Sequence, residues 1–161
     1  MHTEKTPLLT IRDLKTYFFL DEGIVKAVDG VDFDVYPGQV VGIVGESGCG
    51  KSVTIKSVLR LIQPPGRIVD GEICFRTELL STEEGASIDR AQLDAMGQEM
   101  RQLRGDEIAH IPQEPMSAFS PVHTIGNQLI EAILLHQDIS HQQAERIAIE
   151  RLREVGVPSP E

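Results

Sequence analysis

The sequence predicts an α/β fold, and three features of the chain support this prediction. Between residues 8 and 38, polar and apolar residues alternate, as in strands that bury one face of a sheet. The mostly apolar run Val40–Val44 follows, as in a strand that is covered on both faces. Apolar residues at helical spacing mark residues 51–62 and most of the chain after residue 124.

The N-terminal part predicts an antiparallel β layer. Leu8–Phe19 carries aliphatic and aromatic residues with partial alternation, and Asp21-Glu22-Gly23 is a turn signal before a second strand, Ile24–Val28. A third run, Val31–Tyr36, has the alternation of a half-buried strand. Pro37-Gly38 then turns the chain towards the apolar run.

The stretch Gly45–Ser52 reads G-x-x-x-x-G-K-S and lies between the apolar run and a predicted helix, Lys51–Ile62. This context is that of a phosphate-binding loop, in which glycines let backbone N–H groups turn towards phosphate oxygens. The N-terminus of the following helix attracts the same negative charge. Lys51 would contact the β- and γ-phosphates of a nucleoside triphosphate, and Ser52 would offer its hydroxyl to Mg²⁺.

Further strands and helices are predicted after this helix. Gln63-Pro64-Pro65-Gly66 ends the helix, and Ile68–Phe75 is predicted to be a strand with a bend at Asp70-Gly71. Glu107–Ile111 is predicted to be a short strand that ends at Pro112.

The last part of the chain predicts a helical hairpin. Thr124 can cap a first helix, Ser140 with Gln143 can form a capping box for a second, and Gly156 can stop it. The apolar positions of the two helices are Ile125, Leu129, Ile133 and Leu134, then Ala144, Ile147, Ala148, Leu152 and Val155.

Composition limits the classes of protein to which the chain can belong. Its 161 residues suffice for one domain with a core, and its two cysteines are too few for a disulfide framework, which favours a reducing cytosol. No run approaches the ~18 apolar residues of a membrane span, and residues 1–7 lack the apolar core of a secretion signal. The formal net charge of −10 argues against a general nucleic-acid binder, which needs clustered Lys and Arg.

Several segments together resemble the nucleotide-binding domain of ABC transporters. Lys26–Val31, Pro37-Gly38-Gln39 and the loop indicate the superfamily. Two later segments are similar to the ATP-binding subunits of bacterial oligopeptide and dipeptide importers: Pro64–Ile73, and Ile111–Ser117 with Pro121–Gln128 behind it.

The resemblance, which runs from about Leu8 to the C-terminus, implies roles for particular residues. Gln113 matches the Q-loop glutamine, which reaches Mg²⁺ and the attacking water and couples the nucleotide to a transmembrane partner. An aromatic residue would stack on adenine, and the family spacing favours Phe18, with Tyr17 as the alternative. Lys51 and Gln113 are thus the implied catalytic residues, and Ser52 and Gln113 the implied metal ligands. The implied contacts of the loop with ATP are Gly45, Glu46, Ser47, Gly48, Cys49, Gly50, Lys51, Ser52 and Val53.

Two loop positions depart from the usual family pattern or invite separate attention. Val53 stands where many ABC domains have Thr, so one side-chain contact with the α-phosphate is absent while the backbone N–H remains. Cys49 lies inside the loop, where a thiol at a helix N-terminus can react as a thiolate. The alternative for Cys49 is a small residue that merely fits.

The resemblance implies one incomplete domain over residues 1–161. It would comprise an antiparallel β subdomain (about 8–38), part of the parallel core sheet with the P-loop (39–113), and the Q-loop with the start of the α-helical subdomain (114–161). After the loop Gly45–Ser52, the sequence contains neither an L-S-G-G signature nor a second apolar run that ends in Asp-Glu. The chain is therefore interpreted as the truncated, N-terminal portion of an ABC ATPase, expected to bind ATP without meaningful turnover.

The whole protein implied by the resemblance uses ATP and Mg²⁺ to power import of peptides or related small solutes across the bacterial inner membrane. It would lie on the cytoplasmic face with two transmembrane permease subunits and a second ATP-binding subunit, and indirectly serve a periplasmic or lipoprotein solute-binding protein. One alternative is a soluble ABC ATPase of repair or translation, which would need long basic or coiled-coil insertions. The other is a P-loop small-molecule kinase, which would show a substrate lid and a downstream Arg cluster instead of the Gln113 loop.

Overall fold

Residues 6–76, 87–89, 97–114 and 118–160 are described by the computed structural model. The chain divides into two units, Met1–Glu107 and Ile108–Glu161, and each unit has its own apolar cluster. Within the described ranges the elements are β1 (Leu9–Leu20), β2 (Gly23–Val35), α1 (Lys51–Val58), β3 (Gly66–Arg76), β4 (Ser87–Asp89), α2 (Gln98–Asp106), α3 (Ile125–His136) and α4 (His141–Glu154).

The sheet of the first unit has the strand order β2-β1-β3-β4, and each neighbouring pair is antiparallel. The predicted antiparallel β layer is thus present, with one difference. The two strands predicted on either side of Asp29-Gly30 form a single strand, β2, because a shift in register places Lys15 opposite Asp29 and leaves Gly30 as a bulge. The register of β1 with β3 also shifts where a bend was predicted, beside Asp70-Gly71.

Helix α1 packs against one face of this sheet. Val58 joins a buried cluster with residues from all three long strands: Ile11, Leu14, Val28 and Ile73. The cluster fixes the helix across β1 and β2, so the residues before α1 are held at the edge of the same face.

The apolar run Val40–Val44 does not form the predicted strand, and that prediction is wrong. Residues 39–46 have no strand structure, and the side chains of Val40 and Val44 are 96% and 92% exposed. A strand covered on both faces needs neighbours in the sheet, and none of the described strands pairs with this run. The expected parallel part of the core sheet is therefore not formed within the described residues.

The predicted strand Glu107–Ile111 is likewise reduced to an isolated bridge at Ile108, and Ile111 is 87% exposed. Residues 115–117 of the motif that follows lie outside the described residues. In both segments, the predicted β structure would need neighbouring strands, and the described sheet includes neither segment.

Helix α1 ends four residues earlier than predicted, at Val58. Arg60 has φ +53, and the N–H groups of Arg60 and Leu61 donate to Ser57 O (3.0 Å) and Lys56 O (2.8 Å). This pair of hydrogen bonds is a Schellman motif, in which glycine usually supplies the left-handed residue. The side chain of Arg104 secures the same helix end by donating to the carbonyl oxygens of Leu59 (2.9 Å) and Arg60 (3.1 Å).

The second unit contains the predicted helical hairpin of α3 and α4. The Thr124 hydroxyl accepts from the N–H of Asn127, and Ser140 and Gln143 form the expected capping box. Ile130, Ala144 and Ala148 are buried between the helices. Within the part of the chain that the structure describes, every helix is too short or too polar to span a membrane.

Candidate functional site

The glycine-rich stretch Gly45–Ser52 forms a loop that leads directly into α1. The helix begins at Lys51, and Gly50 is its N-cap with φ +93, a conformation that favours glycine. Residues 45–49 are exposed, so the loop is open to solvent and not packed in the interior. The loop therefore has the helix N-terminus and the open backbone that an anion needs.

The Lys51 ammonium group lies inside the curve of this loop. Its Nζ donates to the carbonyl oxygens of Gly45 (2.8 Å) and Glu46 (2.6 Å), and lies 3.5 Å from Cys49 Sγ. A side chain that starts on the first residue of the helix thus reaches back to the first residues of the loop. The positive charge is held where a bound phosphate would meet the loop N–H groups.

The loop is anchored to the sheet at its last glycine. A Cβ atom at Gly50 would collide with the carbonyl oxygen of Ala27 and approach within 3.6 Å of Val28 Cγ2. Ala27 is the unpaired residue of a second bulge in β2, between Val28 opposite Thr16 and Lys26 opposite Tyr17. The bulge and the absent side chain together let the loop approach the strand this closely.

Tyr17 and Phe18 lie on β1, next to this anchor, and project from opposite faces. The register with β3 is regular from Thr16 to Phe18, so alternate side chains share a face. Thr16 is buried against Ser57 of α1. Phe18 is therefore on the face that carries α1 and the loop, and Tyr17 is on the other.

The Tyr17 side chain is engaged by two charged residues of β2. Its hydroxyl donates a short hydrogen bond to Asp29, and Lys26 Nζ lies 5.2 Å from the ring centroid and 3.3 Å from Asp29 Oδ2. The bond from Tyr17 lowers the pKa of Asp29, and the same bond, with burial second, raises the pKa of Tyr17.

The Phe18 ring lies over the backbone of Gly66. A Cβ at Gly66 would be 2.6 Å from the ring and 2.9 Å from Ile62 Cγ2. The ring is half-buried, which leaves part of it accessible on the α1 face. A larger residue at position 66 would displace it.

The remaining predicted site residues occupy four different surroundings. Ser52 is exposed in the first turn of α1, and Val53 packs against the core cluster of the first unit. Cys49 is exposed in the loop. Gln113 is exposed at a bend in the second unit.

Several residues that shape the site were not singled out by the sequence. Asp29 and Lys26 hold Tyr17. The turn at residues 21–23 could have indicated that they lie on the strand beside Tyr17, with Lys26 directly opposite it. Thr16 and Ser57 have no such signal, because 41 residues separate them in the chain.

Residues 28–159 match the protein family described as ABC transporter. The chain belongs to the ABC transporter family. This confirms the resemblance at the level of the family, and it agrees with the position of the loop before α1.

Curated ABC proteins named for peptide transport are similar to most of the chain. It is 43% identical to the probable peptide ABC transporter ATP-binding protein y4tR of Sinorhizobium fredii, over 96% of this chain and 43% of that protein. It is 40% identical to the dipeptide transport ATP-binding protein DppD of Bacillus subtilis, over 95% of this chain and 42% of that protein. The chain thus spans less than half the length of these relatives.

A solved ABC structure supports the fold. The dimeric structure of MJ0796, described as a bacterial ABC transporter cassette, superposes with a TM-score of 0.73 over 94% of this chain and 58% of that one. At 20% sequence identity this similarity concerns the fold alone. It confirms the predicted α/β fold class of an ABC nucleotide-binding domain.

Proposed function

We propose that this chain binds ATP with Mg²⁺ through the loop Gly45–Ser52. The observation that carries the proposal is the Lys51 ammonium group held inside the loop by Gly45 and Glu46 carbonyl oxygens. Phosphate oxygens can replace these carbonyl acceptors, and the open loop N–H groups and the α1 N-terminus add further attraction. Membership of the ABC transporter family supports ATP as the ligand.

The oxygen atoms of two side chains have the chemistry that a magnesium ion accompanying the triphosphate prefers. The Ser52 hydroxyl is exposed beside Lys51 and is the proposed ligand within the first unit. The amide oxygen of Gln113 is the second proposed ligand, and its side chain is exposed. When bound, Mg²⁺ neutralises charge on the phosphoryl group that is transferred.

Phe18 is the proposed stacking partner of adenine. It lies on the sheet face that carries α1 and the loop, whereas Tyr17 lies on the opposite face and is engaged by Asp29 and Lys26. A base that extends from phosphates in the loop therefore meets Phe18 first. Stacking needs only an accessible face of the aromatic ring, and the Phe18 ring is half-buried on β1.

For the whole protein we propose the ATP-hydrolysing subunit of an importer for peptides or related small solutes. The names of the similar ABC proteins and the matching later segments support this assignment. The proposed partners are two permease subunits and a second ATP-binding subunit at the cytoplasmic face of the inner membrane. After the loop Gly45–Ser52, the sequence contains no L-S-G-G signature and no apolar run ending in Asp-Glu, so we propose ATP binding without turnover for this chain alone.

The ATP-binding proposal is tested by Lys51→Ala, with Lys56→Ala as the matched control. We expect Lys51→Ala to weaken ATP binding by about tenfold to a hundredfold, because charge-assisted hydrogen bonds to phosphate are lost. Lys56 is exposed on the same helix, and its replacement should leave the Kd within about twofold because it lies outside the loop. Equal Kd values for both variants in equilibrium titrations would refute the loop as the binding site.

The importer assignment needs a separate experiment on the full-length protein in its membrane. We expect affinity purification to recover two integral membrane subunits with it. Recovery of the protein free of membrane subunits would favour the soluble ABC ATPase or the kinase instead.

A further inference from the structure

Two fully buried hydroxyl groups join β1 to α1. Thr16 Oγ1 and Ser57 Oγ lie 2.8 Å apart, and both residues have no exposed surface. Ser57 Oγ also donates to the carbonyl oxygen of Val53 at 2.8 Å. Because a hydroxyl has one proton, the Thr16 hydroxyl donates to Ser57. A directed chain of two hydrogen bonds therefore runs from the strand to the helix backbone.

Thr16, at the strand end of these two hydrogen bonds, is close to the proposed adenine platform. Thr16 precedes Phe18 by two residues on the same face, and its position is fixed by ladders to Val28 in β2 and Ile68 in β3. Loss of the contact at Thr16 would therefore act on the part of β1 that carries Phe18, while the ladders keep β1 in the sheet.

Ser57, at the helix end of the two hydrogen bonds, belongs to the helix that starts with the proposed phosphate-binding residues. Ser57 is on α1, whose first two residues are Lys51 and Ser52. The front of the helix is held separately by the approach of Gly50 to Ala27. Loss of the Thr16–Ser57 bond would therefore leave the loop anchored and the helix held by the apolar contacts of Val58, but without the directional tie between the helix body and β1.

The hydroxyl groups of Thr16 and Ser57 indicate that the pair orients α1 relative to β1 and does more than fill buried space. Valine at position 16 would fill the same volume without a polar group to satisfy, and buried hydroxyls contribute little net stability over apolar isosteres. A hydrogen bond, unlike an apolar contact, is directional and selects one arrangement of strand and helix.

We propose that Thr16 and Ser57 are positioning residues that set the distance between the adenine platform at Phe18 and the phosphate-binding loop. This inference rests on the ATP-binding function proposed above. It assigns the pair to selection of a complete adenine nucleotide, because only a ligand with both a base and phosphates spans the two sites.

The test compares two ligands, ATP and inorganic tripolyphosphate, on the full chain. Thr16→Val removes the hydroxyl and leaves Ser57 bonded to Val53, so no buried donor loses its partner. We expect this variant to bind ATP about tenfold more weakly, the order of one lost base stack, with tripolyphosphate affinity unchanged. Thr16→Ser keeps the hydroxyl and should retain the wild-type ratio of the two affinities, even where its Tm falls.

Three results would distinguish the possibilities. A ratio that falls in Thr16→Val and is retained in Thr16→Ser supports the positioning role. Equal weakening of both ligands by Thr16→Val, in step with a lower Tm, would mean a structural role only and would overturn the inference. Failure of the wild-type chain to bind either ligand would refute the ATP-binding function itself.

Discussion

Lys51 and Cys49 lie close together in one loop, and their proximity would make the thiol a reporter of the proposed nucleotide binding. Cys49 Sγ lies 3.5 Å from Lys51 Nζ, and a Cβ at Gly45 would lie 2.6 Å from the same sulfur atom. A substituent on this sulfur would therefore compete for space with any anion held by Lys51.

Alkylation of Cys49 is expected to block ATP binding, and ATP is expected to protect Cys49 from alkylation. Cys49 is exposed, whereas Cys74 on β3 is half-buried and provides an internal control whose labelling ATP should not change. Mass spectrometry after brief treatment with iodoacetamide measures both sites. Equal labelling of Cys49 with and without ATP would contradict the prediction.

The Tyr17–Asp29 hydrogen bond should make stability depend on pH at both ends of the range. The lowered pKa of Asp29 means that its contribution is present above the unfolded value of about 4 and is lost as pH falls through the folded pKa. The raised pKa of Tyr17 means that its contribution is present below the unfolded value of about 10 and is lost as pH rises through the folded pKa.

We therefore expect the difference in unfolding free energy between wild type and Tyr17→Phe to be largest at neutral pH. It should shrink in acid and in alkali, as measured by urea denaturation from pH 3 to pH 11. If the difference in unfolding free energy stays constant over this pH range, the Tyr17–Asp29 hydrogen bond is not its cause.

At the scale of elements, one helix end is determined by residues that are close in sequence, and another is supported by a residue that is distant in sequence. Helix α4 starts at a capping box formed by residues three apart, Ser140 and Gln143. Helix α1 instead ends at Val58, and the left-handed conformation of Arg60 just after it is accompanied by hydrogen bonds from Arg104 to the carbonyl oxygens of Leu59 and Arg60. The pKa of Arg104 is lowered, first by burial and then by Arg60 and Arg101, in keeping with its place against this helix end.

Ser140→Ala should destabilise the second unit by about 1 kcal/mol, because the cap to the N–H of Gln143 is lost. Gln142→Ala is the matched control, since Gln142 is exposed in the same turn and lies outside the capping box. Thermal denaturation followed by circular dichroism measures both. A Tm loss as large in Gln142→Ala would assign the effect to the turn in general.

At the scale of the whole molecule, the exposed run Val40–Val44 is the main liability of the isolated chain. Its residues have high β-propensity and no charge, and Val40 and Val44 are almost fully exposed. Such a run readily pairs with another copy of itself. We therefore expect the chain alone to be poorly soluble or partly molten.

Val40→Lys should slow aggregation of the chain, because a charge interrupts the apolar run. Val122→Lys is the control, since Val122 is 81% exposed and lies outside the run. Light scattering at equal concentration measures the difference. Equal protection by both variants would indicate an effect of net charge, not of the run.

Much of the fold could be predicted where the signal is local. The turn before β2, the hairpin caps at Thr124 and Ser140, and the start of α1 at Lys51 follow from residues within a few positions of one another. Val40–Val44 was predicted wrongly because an apolar run forms a buried strand only when neighbouring strands pair with it. None of the described strands pairs with this run.

The sequence alone determined the family and predicted a phosphate-binding loop at Gly45–Ser52, because a contiguous motif carries both the backbone freedom and the charge that such a loop requires. Only the tertiary structure decided which aromatic side chain shares a face with that loop. It also revealed the Thr16–Ser57 bond and the support of the α1 end by Arg104. These features depend on contacts between segments that are distant in sequence and that the folded sheet and helix bring together. No short stretch of sequence specifies such contacts.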